Sequence, residues 1–185
     1  MNEALSGLWK AGEIMMEYFS VGSPVGFLVD ESKYYFYAGG NLHNMDGYLY
    51  RIWTCFFGGN YVEKVIENPE LLVDMNHGTI EKIAKELIRI GLIVPLEEIG
   101  EFIPLRTGIG MGYHTGSGRY HIYTDQILEF SVYAYLIWSY SDGRRKMKEI
   151  YDGIQRMGVN FHQEEYDRSV LSLLRANAVF LSLED

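Results

Sequence analysis

The chain has 185 residues, 48% of them hydrophobic and 22% charged, a globular balance that argues against disorder. Lys and Arg number 16 against 25 Asp and Glu, leaving a formal charge of −9. Such a field repels a phosphate backbone and argues against nucleic acid as the partner. The single cysteine, Cys55, permits no internal disulfide. No run reaches the roughly 18 apolar residues of a membrane span, and Met1-Asn2-Glu3-Ala4 has no signal-peptide character. A cytoplasmic protein without a membrane partner is expected.

In chain order, Leu5, Leu8, Trp9, Met15, Met16 and Phe19 recur at three- and four-residue steps, which predicts an amphipathic helix within residues 1–24. A first αβ unit is predicted over 25–96. It opens with strands at 25–29 and 34–37 around Asp30-Glu31-Ser32-Lys33, followed by a short strand at 41–44. Asp46 caps a helix over 48–56. A second helix spans 62–67 and is cut short because Pro69 disfavours helical geometry at Asn68. Asn76 caps a third, running to Ile90 with Ile80, Ile83, Ala84, Leu87 and Ile88 on one side, and Gly91 ends it. An extended piece at 92–94 closes the unit. Acidic residues Glu97, Glu98 and Glu101 mark a linker over 97–107.

The second unit, 108–185, repeats this order. Strands at 109–113 and 119–123 flank Thr115-Gly116-Ser117-Gly118, a tight-reversal signal, and a short third strand spans 126–130. Ser131 caps a helix over 132–140, with Tyr135, Ile137 and Trp138 inward, and Ser141-Asp142-Gly143 turns the chain. Helices follow over 146–157 and from Asn160 to Asn177, the last with Tyr166, Val170, Leu173 and Leu174 on its apolar face. The end, 178–183, is extended. The units match at a fixed spacing: Tyr48-x-Tyr50-x-Ile52-Trp53 and Tyr133-x-Tyr135-x-Ile137-Trp138 stand 85 positions apart. That spacing also pairs Tyr35 with Tyr120, Leu42 with Ile127, Met45 with Phe130, Gly58 with Gly143, Val62 with Met147 and Val65 with Ile150. One position later, Gly91 falls opposite Asn177, both residue types that tolerate the left-handed conformation ending a helix. The expected fold is therefore α+β: two tandem β-β-β-α-α-α-β units packed on each other, with an N-terminal amphipathic helix.

On these residues the second unit resembles the PqqD-like winged-helix family, also called RiPP recognition elements. The resemblance is carried by Gly116-Ser117-Gly118, Arg119-Tyr120-His121-Ile122-Tyr123, Ile127-Leu128-Glu129-Phe130, Leu136-Ile137-Trp138, Ser141-Asp142-Gly143 and Leu173-Leu174-x-x-x-Ala178-Val179. It covers about 108–183, with a weaker copy over 25–96 in which Gly58-Gly59 replaces Asp-Gly. The family resemblance implies a non-catalytic protein that binds the leader of a ribosomal precursor peptide and presents it to a modifying enzyme, without a cofactor. The peptide would add as a strand beside the third strand and against the third helix. Carried onto this chain, the binding residues are Leu42, Asn44, Lys82, Lys85 and Arg89 in the first unit. In the second they are Gln126, Ile127, Leu128, Glu129, Phe130, Arg168, Ser172 and Arg175.

Other chemistry is weakly supported. Gly108-Ile109-Gly110-Met111-Gly112 alternates at period two and leads into a turn, so it reads as a strand rather than a phosphate loop. The histidines, His43, His77, His114, His121 and His162, form no metal-ligand spacing; the hairpin could bring His114 and His121 together, but they read better as surface residues. Cys55, in an apolar helix, reads as a buried inert thiol. Two other functions fit the same unit order: a winged-helix transcriptional regulator using the basic run Arg144-Arg145-Lys146-Met147-Lys148, or a structural subunit whose Tyr-rich faces form a homo-oligomer.

Overall fold

The Gly, Asn and Asp punctuation of the sequence resolves into eleven strands and seven α-helices among the described residues, 15–184, of a computed structural model. The first half comprises β1 (Glu17–Ser20), β2 (Ser23–Leu28), β3 (Lys33–Ala38), β4 (Asn41–Met45), α1 (Gly47–Thr54), β5 (Asn60–Tyr61), α2 (Val62–Ile66), α3 (Pro69–Leu72), α4 (His77–Arg89) and β6 (Ile93–Pro95). A 3₁₀ turn at Leu96–Glu101 leads to β7 (Ile103–Arg106), β8 (Ile109–His114), β9 (Arg119–Tyr123), β10 (Ile127–Phe130), α5 (Val132–Tyr140), α6 (Met147–Arg156), α7 (Gln163–Arg175) and β11 (Val179–Ser182). The architecture is α+β, with small antiparallel sheets.

Two three-stranded sheets have the same form, β2-β3-β4 and β8-β9-β10. In each, the first edge strand carries a bulge, between Pro24 and Gly26 in one and between Gly110 and Gly112 in the other. The Gly108–Gly112 alternation is thus strand β8 and its approach, as its spacing predicts. The registers correct one pairing. Tyr34 stands opposite Met45 and Tyr120 opposite Phe130, so Tyr120 matches Tyr34 rather than Tyr35. The turn after β3 is one residue longer than the turn after β9, since Tyr37↔Leu42 and Tyr123↔Ile127 are the equivalent pairs. Both tyrosines then stack on a tyrosine of the following helix, Tyr34 on Tyr50 at 4.1 Å and Tyr120 on Tyr135 at 4.7 Å between centroids.

The helices begin where the caps predict. The Asp46 carboxylate accepts the N–H groups of Tyr48 and Leu49, and Ser131 Oγ accepts that of Ala134. Asn76 caps α4 through Thr79 N–H. The last helix starts two residues later than Asn160 would place it: Glu165 accepts the N–H of His162, the N-cap, at 3.2 Å. Asn68 is extended before Pro69, but Pro69 then opens an additional short helix, α3, as Pro at a first helical position does. Gly91 and Asn177 both take positive φ, 76° and 52°, and end α4 and α7. Each helix layer buries an equivalent tryptophan whose indole N–H donates to a backbone carbonyl, Trp53 to Val21 at 3.2 Å and Trp138 to Thr107 at 2.9 Å.

Two regions differ from the sequence expectation. Of the helix expected over 1–24, residues 1–14 lie outside the described residues, and Glu17–Ser20 form strand β1, paired with β5 and β6. Phe19 and Val21 point inward at a two-residue period, and pairing on both sides satisfies the backbone without a helix. The expected linker over 97–107 likewise contains the 3₁₀ turn and β7, which pairs with β11 through Ile103↔Ser182 to Arg106↔Val179. β1 and β7 thus open their halves in the same manner. The halves share a core: Phe19, Val21 and Val94 cluster with Val179, Leu181 and the α7 side chains. Gly22 N–H donates to Leu181 O at 2.7 Å, Gly39 N–H to Ser182 Oγ at 3.0 Å, and Phe57 meets Phe180 edge-on at 5.5 Å.

Candidate functional site

A strand at the end of a sheet leaves alternate N–H and C=O groups unpaired, and a bulge or proline on it blunts that capacity. β2 has Pro24 and a bulge, and β8 has the Gly110/Gly112 bulge. β4 and β10, the opposite edges, pair in unbroken register and have no further strand beside them among the described residues. Each sheet therefore has one irregular and one regular border.

On β4, Leu42 is 54% exposed and Asn44 is exposed, whereas Met45 turns into the core. His43 stacks on Phe36 at 5.2 Å and its Nε2 meets Ala38 O at 3.1 Å, which fixes the border. A groove of about 460 Å³ opens between α1 and α4, lined by Leu49, Asn76, Gly78, Thr79, Lys82, Ile83 and Glu86. Of the α4 cations, Lys82 lines this groove, Lys85 is bonded to Glu81 at 2.6 Å, and Arg89 donates twice to Glu86, at 2.8 and 2.5 Å. That fork holds the Glu86 carboxyl below its usual range and occupies its charge.

In the second half the predicted residues divide. Ile127 is 54% exposed on the border and Leu128 half-buried. Phe130 is in the core, and Gln126 is exposed just before the strand, its carbonyl accepting Thr124 N–H at 2.9 Å. Arg168 is exposed, Ser172 Oγ donates to Ser169 O at 2.7 Å, and Arg175 donates to both Glu17 oxygens at 3.0 Å. Arg175 thus joins the two halves through a salt link in which Glu17 is largely buried and Arg175 remains half-exposed.

Glu129 meets His121 Nε2 at 3.2 Å, and Ser117 Oγ lies 3.1 Å from the same nitrogen. His121 is buried, not a surface residue, and His114 stacks on it at 4.5 Å with its Nδ1 accepting Ser117 N–H. A nucleophile relay needs hydroxyl and carboxylate on opposite ring nitrogens; here both address one, so the cluster pins the hairpin tip. No group of three or more His, Cys, Asp or Glu among the described residues is placed to hold a metal. Cys55 is half-buried, its thiol donating to Arg51 O and raised in pKa chiefly by that burial.

The basic run is largely neutralised. Lys146 meets Glu184 at 2.9 Å and Lys148 meets Glu101 at 2.5 Å, while Arg145 lies over the Tyr140 ring. No helix among the described residues is long and apolar enough to cross a membrane. The groove residues Leu49, Asn76 and Thr79 carry no signal in sequence beyond helix patterning, and Ile83 reads there as core.

Compared with known proteins, the chain matches no family model and no curated protein. Among solved structures it is similar to PKMT2 from Rickettsia typhi in complex with AdoHcy, at 11% identity and a TM-score of 0.34 over 90% of this chain. The likeness spans 42% of that protein, and so loose a superposition carries no argument about fold or chemistry.

Proposed function

We propose that this protein is a non-catalytic peptide-binding protein, built of two tandem winged-helix-like, PqqD-like units. It holds a ribosomal precursor peptide as an added strand and presents it to a modifying enzyme. The observation that carries this reading is the asymmetry of the two sheets: one border of each is bulged, and the other is regular and open. An added backbone satisfies those free groups, while side chains on alternate positions are read by the neighbouring helix. The repeated order of a three-stranded sheet, helices and a closing strand supports the winged-helix assignment, and pairing of the Lys146 and Lys148 charges weighs against a nucleic-acid role.

Titration of fluorescently labelled precursor peptides from the same gene neighbourhood tests the reading. Saturable binding tighter than about millimolar, a free energy beyond about −4 kcal/mol, is expected. Absence of saturation at that concentration contradicts it.

A further inference from the structure

The two halves share a backbone plan but not the residues that line the first-half groove. Structurally equivalent positions stand between the first and last helices of each half, and two of them differ in size. Leu49 of α1 is replaced by Ala134 of α5, and Ile83 of α4 by Ser169 of α7. The small pair is buried, 1% and 8% exposed, whereas Leu49 and Ile83 are half-exposed groove lining. Small residues on facing helices let their backbones approach and close the space between them. The rim differs as well. Tyr133 lies flat on Phe161, ring planes 6° apart and centroids 4.9 Å, across the foot of the α5–α7 pair. Its equivalent Tyr48 stands 51% exposed, with Met75 in place of Phe161.

Charge separates the halves further. Gly78 and Thr79 line the first groove where the second half has Glu164 and Glu165. Glu86 is neutralised by Arg89, and Lys82 has no ion pair among the described residues. The first groove is apolar with one net positive group. The equivalent second-half positions hold the buried Ala134 and Ser169 and the carboxylates Glu164 and Glu165, with Arg168 in place of Lys82.

From this we infer that peptide is taken by the first half alone. The bound segment runs along β4 and sets an aliphatic side chain between Leu49 and Ile83 and a carboxylate against Lys82. This deepens the peptide-binding reading and rests on it. The second half then serves as a support, tied to the first through Arg175–Glu17 and the shared core.

The test uses the full chain and labelled precursor peptides, together with short synthetic aliphatic peptides carrying either Glu or Lys. Lys82→Glu, on an exposed side chain, should weaken binding of the acidic peptides by about tenfold or more. Arg168→Glu, its equivalent in the second half, should leave binding within about twofold, and Lys-bearing peptides should bind the wild type more weakly than Glu-bearing ones. Ile83→Trp should block the groove, with circular dichroism checking that the fold persists. If the wild type binds peptide but Arg168→Glu weakens it and Lys82→Glu does not, this assignment is overturned while peptide binding stands. If the wild type binds none of the peptides, both fall together.

Discussion

The halves of this molecule use one hydrogen-bonding scheme to build two different surfaces. Val21 N–H bonds Leu92 O and Thr107 N–H bonds Ala178 O; Leu92 N–H bonds Leu87 O and Ala178 N–H bonds Leu173 O. What differs is side-chain volume at the helix seam. Leu49 and Ile83 line a groove between α1 and α4, whereas the equivalent positions of α5 and α7 carry the small, buried Ala134 and Ser169. Backbone pairing sets a common plan, and a few seam residues set the surface built on it.

The sharpest way to break this comparison is at its shared element, the indole. Trp53→Ala and Trp138→Ala should each destabilise by about 3–5 kcal/mol, the range for truncating a buried aromatic. Because Phe19, Val21 and Val94 of the first half sit in the core around α7, each should lower one common transition in chemical denaturation. Two separated transitions would show that the halves are energetically independent.

At the turn after the first helix the halves diverge. Gly59 has φ +90°, and an added Cβ would fall 2.5 Å from Glu17 Oε1 and 2.7 Å from the Phe19 ring. Gly59→Ala should cost about 2–4 kcal/mol from the left-handed backbone and the collision together. Its counterpart is the exposed Arg144, where Arg144→Ala should change stability by no more than about 0.5 kcal/mol. Thermal melts of the two variants compare them directly.

A buried phenol distinguishes the second half in pH. Tyr166, whose O–H donates to Met147 O, has its pKa pushed upward chiefly by burial. The unfolded chain releases this proton near pH 10 and the folded chain holds it, so stability is full below about 10 and falls as pH rises above it. Tyr166→Phe should cost about 1–2 kcal/mol at neutral pH by removing that hydrogen bond from a buried site. Its stability should decline less steeply in alkali than the wild type's, as denaturant midpoints across pH 8 to 11 would show.

The smallest effect is at the helix ends. Gly91→Ala, at φ +76° with nothing within 4 Å, should cost about 1 kcal/mol, and Gly91→Asn less, since Asn177 fills the equivalent position. Asn177→Gly should be neutral within about 0.5 kcal/mol. Equal losses from Ala and Asn at Gly91 would mean that the matched helix endings do not reflect backbone conformation.

That matched ending was legible in sequence because conformational freedom belongs to the residue itself. So were the caps at Asp46, Asn76 and Ser131, whose partners lie within three residues. Strands β1 and β7 were not, because their partners β6 and β11 lie far along the chain and four residues carry too little alternation to declare a strand. Met15, Met16 and Phe19 instead mimic helical spacing. The borders at β4 and β10 follow from strand order, but the groove does not. Whether Ile83 faces core or groove depends on the distance to α1, which no local pattern contains. For the same reason the contacts of Phe130 with the core and of Arg175 with Glu17 are not legible from their positions in the chain.

Amide hydrogen exchange with and without the precursor peptide addresses the central claim most directly. The account predicts slowed exchange through Asn41–Met45 and across the α4 residues lining the groove, with Ile127–Phe130 unchanged. Protection of Ile127–Phe130 in its place, or a bound peptide that leaves both borders exchanging as before, would contradict it.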